Sequence, residues 1–292
     1  MPRGMEARLT QAARRAALRC YSDYLQPERL DDLRRLLEAA VGAGYQTMTL
    51  AAFADCVAAE PPTSEDRILL LRHDIDSDVP RARRMWEVER SLGMVGSYFF
   101  RHSTWDVGFM RELSGAGCEV GYHYEELATL IKRRGAAGAA EARALLDPAR
   151  AHLRATIGRL RADTGLPLDV LASHGDFANR AVGVGNLEML ADTDLRAEIG
   201  VRLEAYDVEP HIGARSADGV PPGGWRPHDP LDAIGRGEPV VGVLLHPRAW
   251  GRAPLANAHE DLHRFAEGCM YGLRRAQRRR AVGRRIDGTA PT

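Results

Sequence analysis

Two aspartates, Asp74 and Asp76, stand two residues apart just after the apolar run Ile68–Leu71. On an extended strand that spacing points both carboxylates to one side, with His73 and Ile75 on the other. Neighbouring carboxylates repel unless a cation holds one of them, so the pair suits a metal ligand beside a general base. The bland use of such a pair is to cap the next helix, a task for which Asp78 is better placed. Three histidines close apolar stretches in the same way: His123 after Glu119–Tyr122, His174 after Asp169–Ser173, and His246 after Pro239–Leu245. Imidazole nitrogen and carboxylate oxygen drawn from separate strands are the donors of a catalytic zinc site with one open position. A histidine placed like His246 can protonate a departing amine, and Trp250 shortly after it can wall a pocket or stack on a sugar.

These side chains need elements to hold them. Ile68–Leu71 reads as a buried strand of the parallel type; helix Pro80–Leu92, strand Gly96–Arg101, helix Val107–Gly115 and strand Glu119–Tyr122 follow in regular alternation. A long helical stretch then runs from about Ala139 to Thr164, with strands at Asp169–Ala172, Glu198–Val201 and Pro239–Leu245 and a last helix from near Ala258 into the basic segment Arg274–Arg285. Upstream, Leu33, Leu36, Leu37 and Ala40 recur at helical spacing within Leu30–Ala43, and Gln46–Leu50 is a short strand candidate. The rhythm is that of a parallel sheet flanked by helices, where functional groups gather at the carboxyl ends of the strands. Asp74/Asp76, His123, His174 and His246 all fall there.

In order and context, Arg72-His-Asp-Ile-Asp76, Gly96-Ser-Tyr-Phe-Phe100, Glu119-Val-Gly-Tyr-His123-Tyr-Glu125, Ser173-His-Gly175 and Leu245-His-Pro247 resemble the polysaccharide deacetylase superfamily. This is carbohydrate esterase family 4, or the NodB homology domain, and the first motif is similar to that of a variant branch. The resemblance spans residues 68–250. It implies an α/β fold, a distorted (β/α) barrel of about seven strands over residues 63–265, with an N-terminal helical extension (1–62) and a C-terminal helix and basic tail (266–292). It also implies a metal-dependent hydrolase that removes an N-acyl group, acetyl above all, from an amino sugar or a related small glycan intermediate. Asp74 matches the catalytic base, His246 the catalytic acid, and Asp76 and His123 two ligands of one divalent ion, most readily zinc. Two departures stand out. Leu127 occupies the place of the usual second histidine, so the third ligand falls to His174 first and to Glu125 or Glu126 second. The usual arginine that orients the base is missing too, leaving His73 or Arg72 for that task. His73, Glu126 and Trp250 are the candidates for substrate contacts. The competing readings are hydrolysis of another non-peptide amide C–N bond, and a metal-free, non-catalytic sugar-binding barrel, for which Leu127 is the motive.

Composition sets the bounds. The chain has 292 residues, 45% hydrophobic and 27% charged, values that exclude wholesale disorder and fibrous classes. Lys+Arg and Asp+Glu balance at 40 each, so no global field draws it to nucleic acid or an anionic membrane. No apolar run approaches the roughly 20 residues of a spanning helix, and the first twenty residues hold no signal-peptide core, which leads to the expectation of a cytoplasmic protein. Cys20, Cys56, Cys118 and Cys269 are scattered and read as reduced, small core residues. The arginine run from Arg274 to Arg285 reads as a solvated helix end, and His259 and His263 as surface residues lacking the H-E-x-x-H pattern. Self-association is left open.

Overall fold

The computed structural model describes residues 3–220 and 224–286. The chain divides into two compact units: Met1–Val120 with Tyr206–Ala258, and Gly121–Ala205 with His259–Thr292. The first contains α1 (Arg3–Tyr24), α2 (Leu30–Gly42), β1 (Gln46–Met48), α3 (Leu50–Ala59), β2 (Ile68–Ile75), α4 (Val79–Ser91), β3 (Ser97–Phe100), α5 (Val107–Gly115) and the start of β4 (Glu119–Tyr124). The second holds the rest of β4, then α6 (Glu126–Arg134), α7 (Ala139–Arg143), α8 (Leu146–Thr164), β5 (Val170–Ser173), α9 (Phe177–Val182), α10 (Thr193–Glu198) and β6 (Leu203–Glu204). The chain then returns to the first unit for β7 (Ala214–Val220), β8 (Gly224–Pro227), α11 (Pro230–Gly235) and β9 (Val240–Leu245), and ends in the long helix α12 (Pro254–Ile286).

In the first unit β2 is the central strand. One edge pairs in parallel with β1 at Ile68–Leu70 and with β3 at Arg72–Ile75, and the other edge pairs in parallel with β9 from Ile68 to His73. β9 pairs in parallel with β7, and β7 with β8 in the antiparallel sense. All eight residues of β2 are buried, as expected of a strand covered on both faces. Its alternate residues divide the work: Leu69 and Leu71 join a core with Leu33, Leu36 and Leu37 of α2, Met85 and Val88 of α4, and Val241, Val243 and Leu245 of β9. Burial of these apolar side chains, at about 1.5–3 kcal/mol each, pins the strand from which Asp74 and Asp76 are presented. In the second unit β4, β5 and β6 pair in parallel, with His123 opposite Ala172 and Leu171 opposite Glu204.

The α/β alternation is present, with local differences. The helix expected over Ala139–Thr164 breaks between α7 and α8, and Pro148 lies in the first turn of α8, where its missing N–H has no intrahelical acceptor anyway. The strand expected at Glu198–Val201 is instead the end of α10, capped by the Asp192 carboxylate on the Leu195 N–H, and only Leu203–Glu204 is extended. Gly200, in the left-handed region at φ 61°, makes the turn between them. The β7–β8 hairpin and α6 had no clear sequence signal, the hairpin because its residues are mostly small or polar. Of the four cysteines only Cys118 is buried; Cys20 and Cys269 are exposed, against the expectation of core thiols. Among the described residues no helix is long and apolar enough to cross a membrane.

Candidate active site

In the first unit, strand parity puts Arg72 on the same face of β2 as Asp74, and the guanidinium grips the carboxylate with both arms. Arg72 Nε donates to Asp74 Oδ1 at 2.8 Å and a terminal nitrogen donates to Oδ2 at 2.9 Å, both groups being buried. The guanidinium also lies over the Tyr206 ring, 4.7 Å from its centroid, and near Phe99. A bidentate, charge-assisted pair of this kind fixes the orientation of a carboxylate and favours its anionic form. The choice between His73 and Arg72 as the partner of Asp74 therefore falls to Arg72. His73, on the opposite face, is fully buried, stacked on Tyr98 at 4.2 Å, with Nε2 2.9 Å from Glu89, which also accepts from the Tyr98 hydroxyl. That position is an interior one beside the core rather than an open surface for substrate. Asp76 follows a tight turn, its N–H donating to the Asp74 carbonyl. Asp78 caps α4 through the Arg81 N–H, as its spacing suggested.

The parallel register that sets His73 against Leu245 brings the next residues, Asp74 and His246, to neighbouring strand ends. His246 is held by Asp218, a residue that sequence reading passed over. Its Nδ1 lies 2.7 Å from Asp218 Oδ1 and its backbone N–H donates to Oδ2 at 2.8 Å; Trp250 Nε1 donates to the same oxygen at 2.6 Å. Asp218 sits just beyond the point where Ala217 of β7 pairs with Leu244 of β9, so it too is near a parallel strand's carboxyl end. Recognition of β7 would have exposed it, but Ala214–Val220 carries no apolar run. Burial alone would push the His246 imidazole down; the Asp218 hydrogen bond and charge, with Asp74 and Asp76 beyond, outweigh it and raise the pKa to about 9. Trp250, expected near substrate, is buried and serves as a second donor to Asp218.

In the second unit His123 is 2% exposed and its Nδ1 lies 3.0 Å from the Ala172 carbonyl. A carbonyl only accepts, so Nδ1 is the donor, an outer-shell bond of the kind that orients a ligating histidine. His174 directly follows β5; its backbone N–H donates to the Tyr124 carbonyl and its own carbonyl accepts from Asn186. The two imidazoles are edge to face, 5.1 Å apart. Glu125, His174 and Asp176 bring one ligand atom each within 4.8 Å of one another, a possible acidic and imidazole metal site. Asp176 is also engaged elsewhere, capping α9 at Ala178 and accepting from Lys132 Nζ at 3.1 Å. These nitrogen and oxygen donors suit a borderline divalent ion such as zinc. Leu127 lies fully inside the core of α6 and offers no ligand. Glu126 is buried too, accepting from the Tyr122 hydroxyl at 2.9 Å and from the Glu125 N–H. Burial pushes its carboxyl up to about 7 against the opposing pull of the Tyr122 bond, so its contacts are internal.

No protein-family model and no curated protein matches the chain. Among solved structures it is similar to a CE4 family pseudoenzyme from Bacillus anthracis and to a mutant of that protein with restored enzymatic activity. Each is 15% identical, with a TM-score of 0.38, over 74% of this chain. The chain spans less than two thirds of the pseudoenzyme's length, 63% of the wild type and 65% of the restored mutant. A further match is the Xyl-CE4 domain of a multidomain xylanase from the hindgut metagenome of Trinervitermes trinervoides, at 11% identity and a TM-score of 0.29, covering 67% of this chain and 82% of that domain.

Proposed function

We propose that this protein is a divalent-metal-dependent hydrolase that removes an N-acyl group, acetyl in the first instance, from an amino sugar or a related small glycan intermediate. One observation carries the reading: in a single unit, two ionisable groups at neighbouring strand ends are held in opposite charge states, Asp74 by Arg72 and His246 by Asp218. Amide hydrolysis needs such a division, because one group must accept a proton from water while the other delivers one to the departing nitrogen. Asp74, anionic and fixed in direction, takes the water proton. His246, cationic below about pH 9, protonates the amine as the C–N bond breaks. Asp76, His123 and His174 would hold the ion, with Glu125 as the alternative to His174. A divalent ion in that place supplies polarisation of the acyl carbonyl and acidification of water.

On this reading residues 63–265 form the catalytic barrel of about seven strands, and residues 1–62 a helical extension that adds β1 to the edge of β2. A cytoplasmic location and a small-molecule substrate belong to the same proposal. The test is elemental analysis of the purified protein and of His123→Ala, together with acetate release from a panel of N-acetylhexosamines. One equivalent of zinc or a similar ion, absent from the variant, with acetate released by the wild type, supports the reading. Amide cleavage without acetate points to another C–N bond. The buried Leu127 at the second-histidine position favours a metal-free sugar-binding barrel as the other reading, and no metal uptake with sugar binding intact would establish it.

A further inference from the structure

In the second unit helices α6 and α12 form the walls of a cavity of about 390 Å³, within the size range of small-molecule sites. α6 contributes Lys132 and Arg133, and α12 contributes His263, Glu267, Met270 and Arg274, which recur every three or four residues along one face of the helix. The two helices are locked together beside Arg274. Gly135 ends α6 in the left-handed region at φ 64°, and a Cβ at that position would come within 2.8 Å of the Arg274 backbone. Tyr271 donates to the Ala136 carbonyl and Arg275 to the Ala137 carbonyl. The walls are therefore set in advance of any ligand. Their charges do not cancel. Lys132, 8% exposed, is shared between Asp176 and Glu267 at 3.1 Å from each, so the acid that lines the cavity is already spent on the buried ammonium. Arg274 donates to the Lys132 carbonyl, a neutral acceptor that occupies part of the guanidinium and compensates none of its charge. Arg133 is exposed and has no acidic partner among the described residues. Two guanidinium charges thus line one cavity with no anion to match them.

We propose that this cavity binds a small soluble phosphate monoester, with its phosphate group between Arg133 and Arg274. Planar guanidinium groups take phosphate oxygens two at a time, which a lysine in either place would not do. A phosphate monoester carries a charge of about −1.5 to −2 at pH 7 and so answers both arginines, whereas a single carboxylate would leave one of them unmatched. The His263 ring supplies a further nitrogen at the same cavity, and Met270 offers apolar surface to the body of the ligand. This site uses none of the residues assigned to acid–base chemistry or to the metal ion.

Isothermal titration calorimetry of the full chain with inorganic phosphate, and with acetate at the same ionic strength, tests the proposal. Phosphate is expected to bind saturably at one site per chain, and acetate at least about tenfold more weakly. Arg133→Glu, at an exposed position, is expected to keep the wild-type circular dichroism and to weaken phosphate binding at least about tenfold, the loss that goes with a charge-assisted hydrogen bond. Arg274→Gln should weaken it similarly, while Arg134→Glu, one residue along α6, should leave it unchanged. A wild type that binds no phosphate saturably overturns the proposal. So does phosphate binding that survives in both Arg133→Glu and Arg274→Gln, as binding to a metal ion would. Acetate that binds as tightly as phosphate overturns the assignment to a phosphate monoester. Sedimentation of the wild type with phosphatidic acid vesicles, lost in Arg133→Glu, puts a lipid headgroup in place of the soluble ligand.

Discussion

Asp74 and His246 of the first unit are held by opposite charges, and His123 of the second by a neutral backbone carbonyl. Asp74 is clamped by the Arg72 guanidinium and His246 by the Asp218 carboxylate, whereas His123 is oriented by the Ala172 carbonyl; His174, whose Nδ1 lies 3.5 Å from Glu125, stands between the two cases. Charge pairing fixes a protonation state, which a proton donor or acceptor requires. A carbonyl partner adds no charge and orients the ring through Nδ1, which suits a metal ligand. Substitutions that break each kind of support should therefore have different signatures.

Ligand loss is expected to do most. His123→Ala should remove the ion and reduce acetate release to background, and elemental analysis with an acetate assay reads both. Asp74→Asn comes next: metal content should be unchanged while kcat falls about 10²–10⁴-fold, the contribution of general acid–base catalysis. Full activity in this variant would remove Asp74 from the role given to it.

Asp218→Asn should lower kcat by about 10–100-fold and move the alkaline limb of the pH profile. His246 is raised above its ordinary value of 6.5 to about 9, so it is charged at neutral pH, and activity that depends on its proton is lost as pH rises through about 9. Without the Asp218 charge that limb should shift toward lower pH. The same linkage makes the His246–Asp218 pair stabilising below 6.5, with the contribution lost as pH climbs through about 9. Arg72→Lys keeps the charge but not the two-armed grip, and should lower kcat about tenfold, equivalent to about 1.4 kcal/mol, with KM little changed.

The last effect concerns stability and leaves turnover unchanged. The Glu126 carboxyl is raised from 4.5 to about 7, so the folded protein prefers it neutral. Its contribution is fully present below pH 4.5 and is lost as pH rises through about 7, a difference of about 3 kcal/mol. Glu126→Gln should therefore flatten the fall in melting temperature of metal-free protein between pH 5 and pH 8. An identical pH dependence in the two proteins would show that this carboxyl titrates normally.

Much of this was legible in the residues, because strands, helices and strand ends are encoded locally. Apolar runs and helical spacing marked β2, α4, β3, α5 and β9 to within a few residues, and the ionisable groups at their ends could be picked out by type. Even the Arg72–Asp74 pair was implicit, since residues two apart on a strand share a face. Other features depended on pairing between distant segments, which periodicity does not encode. Asp218 became a partner of His246 only when β7 paired with β9, from a stretch too polar to announce a strand. His73 joined Glu89 and Tyr98 because α4 and β3 pack against one face of β2, and Trp250 turned inward to the same carboxylate that holds His246. Sequence by itself determined which strand ends carry ionisable groups, because residue type and side-chain period are local properties. Tertiary structure alone decided that Asp218 holds His246, because that pair exists only where register and packing bring two remote side chains within about 3 Å.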